Sequence, residues 1–149
     1  MNRVMPDPAG RLELGVLPDL LGFHLRLASA AVARDFLREM EPLDLTQKQF
    51  AVLELVASNA EVSQVDVAAT LGTDRATMMA LVDRLEMRGL MTRRPSVRDR
   101  RRQDLALTDA GIDLLTRARA AIDDHERRFV ERFDPSEMQT LIRLLQRLV

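Results

Sequence analysis

LMTRRPSVRDRRRQDLALT, running from Leu90 to Thr108, decides the fold. It reads as a short strand, a turn crowded with arginine, a second strand alternating through Gln103, Asp104, Leu105, Ala106 and Leu107, and a helix cap at Thr108. Arg93, Arg94, Arg98, Arg100, Arg101 and Arg102 place six cations in this stretch, with Asp99 among them. A loop of that composition is built to lie on phosphates, because guanidinium forks match phosphate oxygens and guanine edges in two-point contacts that an ammonium cannot make.

Immediately upstream, the spacing predicts a helix-turn-helix from Gln64 to Asp83. Val67 and Leu71 point inward on the first helix, small Ala68 stands where the helices cross, and Gly72 occupies the turn. Met78, Leu81, Val82 and Leu85 point inward on the second helix. Alanine lets two helices approach closely, and glycine accepts the positive φ of a sharp turn. The outer surface of the second helix then carries Arg75, Thr77, Met79, Ala80, Asp83 and Arg84, and its N-terminal residues are the best placed to enter a major groove. Arg75 and Thr77 are the expected base readers, with Gln64 and Met79 as further DNA contacts. Arg84 has two readings: a backbone contact that adds affinity without sequence information, or an i,i+4 partner on a surface helix between Asp83 and Arg88. Arg98, Asp99, Arg100, Arg101 and Arg102 lie near the hairpin tip, an arm suited to a narrow minor groove.

The charge is concentrated rather than general. Across the chain, 22 Lys plus Arg against 23 Asp plus Glu leave a net −1. Between Gly72 and Thr108, nine arginines against five acids give +4, so the remainder carries −5. One face attracts polyanions and the rest repels them.

The chain's 149 residues, 46% of them hydrophobic, suit one domain with an appended dimerisation element. Prolines and glycines divide it into short segments, with long helices on either side of the central unit. Pro18 fits the first turn of a helix running to about Met40, where Pro42 stops it. Its stripe of Leu20, Leu21, Leu25, Ala28, Val32 and Phe36 is widened by Leu27, Ala31 and Leu37. Thr46 caps the next helix, and Ser63 with Asp66 forms a capping box for the one after. A helix through Ile112, Leu115, Ala118 and Ile122 follows Gly111, and Pro135 opens a last one carrying Met138, Leu141, Ile142, Leu145 and Leu148. The expected division is an N-terminal arm at 1–17, a dimerisation helix at 18–45, a DNA-binding lobe at 46–110 and C-terminal dimerisation helices at 111–149. The fold class is mainly α with a small β-hairpin wing, and the apolar stripes exceed what a small central unit could bury, which predicts a homodimer.

At this point the chain resembles the MarR family of winged helix-turn-helix regulators, from about Leu17 to Leu148. The family's wing signature is matched by Asp99, Arg101, Leu107, Thr108 and Gly111, and DRATMMALVDRLEMRGL from Asp74 to Leu90 is similar to its recognition helix. Met79 and Ala80 stand where many members have threonine and arginine. The resemblance implies that Asp99 orients Arg101. It also implies a homodimer on a palindromic double-stranded operator, repressing transcription until a small, often aromatic molecule binds between the dimerisation helices and the DNA-binding lobe. The start LPDLLGFHLRLA is similar to regulators of hydroxycinnamate and other aromatic-acid breakdown, some of which sense coenzyme A thioesters. Phe23, His24 and Arg26, with Phe50 and Leu53 as walls, are the candidate effector contacts. The competing reading has His24 hydrogen-bonded at a dimer interface and Arg26 reaching to solvent.

Other classes fare less well. With no cysteine, two distant histidines and no glycine-rich loop, the chain lacks the parts of an enzyme, and no cofactor or metal is expected. A metal-responsive regulator would have to use His125 with Asp123 or Asp124 and His24, although neighbours one and two apart do not share a helix face. A winged-helix module serving only protein contact would not need so basic a wing. No apolar run approaches the roughly 18 residues of a membrane span, and Met1 to Gly10 does not read as a signal peptide, so a cytoplasmic protein is expected.

Overall fold

The computed structural model describes residues 12–149 and divides into two compact units, one ending at Asp35 and the other beginning at Phe36. The N-terminal arm expected at 1–17 therefore lies for the most part outside the described residues.

In the first unit a 3₁₀ turn, Leu17–Asp19, precedes the helix α1, Leu21–Met40, which runs on into the second unit. Pro18 thus opens a separate turn and not α1, a correction with a local cause. The turn closes on itself through the Leu20 N–H to the Leu17 carbonyl, and Leu20 is extended, with ψ 120°. Its carbonyl then receives the Phe23 and His24 N–H groups that begin α1. No residue from 12 to 35 is buried, and Leu20, Leu21 and Leu27 are exposed.

The second unit holds the core. After α1, Pro42 sits in a 3₁₀ turn, Glu41–Leu43, and the chain leaves it through left-handed Asp44. The helix α2, Gln47–Ser58, starts in a capping box: Gln49 N–H donates to Thr46 Oγ1 at 3.2 Å and Thr46 N–H donates to Gln49 Oε1 at 2.9 Å. The helices α3, Gln64–Thr70, and α4, Arg75–Met87, follow. The strands β1, Met91–Pro95, and β2, Gln103–Leu107, pair antiparallel with Met91 opposite Leu107 and Pro95 opposite Gln103. The helix α5, Asp109–Val130, is capped by Thr108, and α6, Pro135–Leu145, by Asp134.

Each of α1 to α5 and both strands send residues into one apolar cluster: Met40, Val52, Leu53, Val67, Met78, Val82, Leu85, Met91, Leu105, Leu115 and Ala118. The wing is thereby seated on the helical lobe through the alternate residues Met91 and Leu105. In contrast α6 buries no residue, and Leu141, Ile142, Leu144, Leu145 and Leu148 are exposed. One close approach sets where α5 starts: Gly111 lies against the Leu90 carbonyl, where a Cβ would sit 2.0 Å from the oxygen.

Candidate nucleic-acid interface

The turn between α3 and α4 is made as its residues require. Ala68 is buried, the Thr73 N–H donates to the Ala68 carbonyl at 2.9 Å, and Gly72 has φ +59°. Asp74 caps α4 by accepting the Thr77 hydroxyl at 2.6 Å and the Thr77 N–H at 2.9 Å. Those two bonds, the hydroxyl's first, hold the Asp74 carboxyl below its ordinary pKa. With Met78, Val82 and Leu85 turned into the core, α4 leaves Arg75, Ala76, Thr77, Met79, Ala80 and Arg84 exposed.

Arg75 and Arg84 form no ion pair with any described residue. The reading of Arg84 as a surface i,i+4 partner is corrected here. Asp83, the neighbouring acid, is taken by Arg93 at 2.7 Å, and Arg88, a like charge one turn away, turns from Arg84 to donate to the Asp44 and Leu43 carbonyls at 2.6 and 3.1 Å.

The six wing arginines separate into two groups. Arg93 pairs with Asp83 and Glu86, its Nη2 donates to Gln64 Oε1 at 3.1 Å, and its backbone N–H donates to Glu86 Oε1 at 3.0 Å. Arg98 pairs with Glu61, a residue in the left-handed region at φ 58°. Arg102 donates to Asp66 Oδ2 at 2.6 Å and to Ser63 Oγ at 3.0 Å. Arg94, Arg100 and Arg101 are exposed and unpaired among the described residues. The chain thus uses three guanidiniums to fasten the hairpin to its own lobe, two on α3 and α4 and one on the turn between α2 and α3, and leaves three outward. Gln64 is likewise engaged by Arg93. Asp99 accepts the Arg101 backbone N–H at 2.9 Å, so its hold is on the main chain of the tip and not on the guanidinium.

Between the wing and the start of α3 lies a hollow of about 670 Å3, lined by Ser63, Gln64, Arg93, Arg100, Arg101 and Arg102 among others. Asp66 at its edge is held below the ordinary aspartate pKa by the Ser63 N–H and hydroxyl first, with Arg102 adding to them. Sequence reasoning missed Asp83, Glu86, Glu61 and Asp66 as partners of the wing. The available signal was the i,i+3 pair of acids on α4, a spacing that puts both carboxylates on one face.

The candidate effector residues fall in different units. Phe23, His24 and Arg26 form one group: the Phe23 and His24 rings meet edge to face at 5.7 Å, and the Arg26 guanidinium lies 5.7 Å from the Phe23 ring. His24 Nε2 is 2.6 Å from the Pro18 carbonyl, a bond within its own segment. In the second unit, Phe50 packs on Phe36 with ring centroids 6.1 Å apart. Leu53 is fully buried in the core, which corrects its reading as a wall: a side chain enclosed by its own domain has no surface to offer. His125, weighed as a metal ligand, is 1% exposed and sits between Phe36 and Phe129, with centroids at 5.7 and 5.3 Å. Among the described residues, no group of three or more metal-binding side chains occurs, and no helix is long and apolar enough to cross a membrane.

Comparison with known proteins agrees with this geometry. The sequence pattern of the MarR family matches residues 43–102. A candidate transcriptional regulatory protein for the hcr operon of Thauera aromatica is 35% identical over 99% of this chain and 90% of its own length. Among solved structures, the transcriptional repressor CouR bound to a 23-mer DNA duplex superposes with TM-score 0.87 at 38% identity, covering 93% of this chain and 98% of that one. CouR from Rhodococcus jostii RHA1 bound to p-coumaroyl-CoA superposes with TM-score 0.83 at 32% identity, covering 90% and 94%. With its winged helix-turn-helix and its match to these regulators along almost its whole length, the chain belongs to the MarR family of transcriptional regulators.

Proposed function

We propose that this protein is a homodimeric repressor that grips a palindromic operator and is released by an aromatic acid or, by preference, its coenzyme A thioester. The observation that carries the DNA half is the set of unpaired, exposed guanidiniums of Arg75, Arg84, Arg100 and Arg101 on α4 and on a wing fastened to the same lobe. Arg75 reads a base edge in the major groove, Arg84 lies on the backbone, and Arg100 and Arg101 enter the flanking minor groove. The exposed apolar residues of α1 and α6, at 18–45 and 111–149 of the expected division, are the dimerisation surface.

The effector half rests on the likeness to CouR, whose structures hold p-coumaroyl-CoA in one case and DNA in another. Phe23, His24 and Arg26 supply an aromatic edge, a hydrogen-bonding ring and a cation for such a ligand. Binding acts by favouring a spacing of the two α4 helices that no longer fits half-sites about 34 to 36 Å apart. The protein is no enzyme, and it works in the cytoplasm, where an operator lies.

The test is fluorescence anisotropy with a labelled duplex from the protein's own promoter, titrated with p-coumaroyl-CoA and with p-coumarate. Tight, salt-sensitive capture reversed by the thioester is expected. Capture that neither compound reverses removes the effector half, and no capture in dilute salt removes the DNA half. With no Trp or Tyr in the chain, the bound ligand is also visible by its own absorbance.

A further inference from the structure

The outward face of α4 is poor in hydrogen-bonding groups. Over its first two turns the exposed residues are Arg75, Ala76, Thr77, Met79 and Ala80. The Thr77 hydroxyl proton is committed to Asp74 at 2.6 Å, and the same carboxylate takes the Thr77 N–H. That leaves Arg75 as the side-chain donor of this surface, surrounded by methyl groups and a thioether. Met79 is 49% exposed while its neighbour Met78 is 1% exposed, so the core takes one methionine and the helix presents the other. Arg75 stands at one end of the patch and Arg84 beyond the other, next to Asp83, whose half-exposed carboxylate is neutralised by Arg93 at 2.7 Å, so the apolar surface lies between cations. Its complement is a polyanion that offers methyl groups between phosphates, and in a major groove that means thymine: the C5 methyl is the one apolar group on the base edges.

Resting on the operator reading above, we propose that Ala76, Met79 and Ala80 read thymine methyl groups and that Arg75 reads a guanine beside them. The half-site is then specified by one bidentate contact and by methyl contacts. Adenine is not read by a side-chain amide, since this face has neither Asn nor Gln. Met79 is the specificity-determining residue, because its long flexible side chain reaches furthest and adapts to the methyl it meets.

The test starts from duplexes enriched by the full-length protein out of a random-sequence library. Each thymine of the enriched site is replaced in turn by deoxyuridine, which keeps every hydrogen-bonding group and removes only the methyl. The expected result is at least one thymine per half-site where uracil weakens binding about fourfold, the transfer free energy of a single methyl group. In the Met79→Ala variant, which loses an exposed side chain and keeps its core, that penalty shrinks towards onefold. Tight binding of the enriched duplex with uracil silent at every position overturns the inference and leaves the operator reading standing. A uracil penalty undiminished in Met79→Ala overturns the role of Met79. Failure to enrich any duplex removes the operator reading, and this inference with it; an apolar protein partner is then the occupant left for this face.

Discussion

Arg102 Nη2 lies 2.6 Å from Asp66 Oδ2, the oxygen that also accepts the Ser63 hydroxyl at 2.7 Å and the Ser63 N–H at 3.0 Å. One carboxylate closes the cap of α3 and fastens the wing. Arg102 therefore positions the hairpin, while Arg101, its guanidinium unpaired at the tip, is left for the DNA. Arg101→Ala is expected to lower the salt slope of operator binding by about one per protomer, whereas Arg102→Ala weakens binding at nearly unchanged slope. Anisotropy titrations over a salt series read both, and equal losses of slope would show that Arg102 leaves Asp66 for DNA.

The same carboxylate makes a pH prediction. Its pKa is lowered in the folded protein, so the stabilisation is present above the unfolded aspartate value of about 3.9 and is lost as pH falls through the lower folded value. Asp66→Ala should cost about 1 kcal/mol at neutral pH, as capping residues do, and the gap to the parent should begin to narrow below about pH 4 and close only below the lower folded value. Urea denaturation at pH 7 and pH 3 measures it, and a gap undiminished in acid would exclude the ionised carboxylate as its source.

Gly111→Ala tests the seating of α5. The added Cβ would meet the Leu90 carbonyl oxygen at 2.0 Å, and that oxygen is fixed by the Thr108 N–H at 3.1 Å. A loss of about 1 to 3 kcal/mol is expected, the usual size of overpacking, and at its upper end here because the obstructing atom is backbone. A thermal midpoint unchanged from the parent would mean that α5 shifts without cost.

Leu53→Ala should destabilise by about 2 to 5 kcal/mol, because it opens a cavity among Val52, Met78 and the other core residues. Its effect on p-coumaroyl-CoA affinity, measured on the folded fraction, should be small. A selective loss of ligand binding at unchanged stability would restore Leu53 as a pocket wall.

Arg75→Ala should leave stability unchanged and cost about 1 to 3 kcal/mol of discrimination at one base position in each half-site. Competition between specific and random duplexes separates the outcomes. Equal weakening of both would make Arg75 a phosphate contact.

The amino-acid sequence alone determined the features whose partners lie within about one helical turn: the Thr46 and Thr108 caps, the Ser63–Asp66 box and the turn at left-handed Gly72. In each, the chemistry closes over three or four residues, so spacing is sufficient evidence. Residue types also fixed the sign of the wing's charge and the apolar faces of α1 and α6.

Tertiary structure alone decided how the charges were used. Arg102 meets Asp66 across 36 residues, Arg93 meets Gln64 across 29, and Arg88 meets the Asp44 carbonyl across 44. Only the folded lobe could sort the wing's arginines into fasteners and outward cations, sink Leu53 and His125 into apolar surroundings, and bring Gly111 against Leu90. An ion pair depends on distance in space, and until the core brings remote segments together an arginine has no means of distinguishing its own acids from a phosphate.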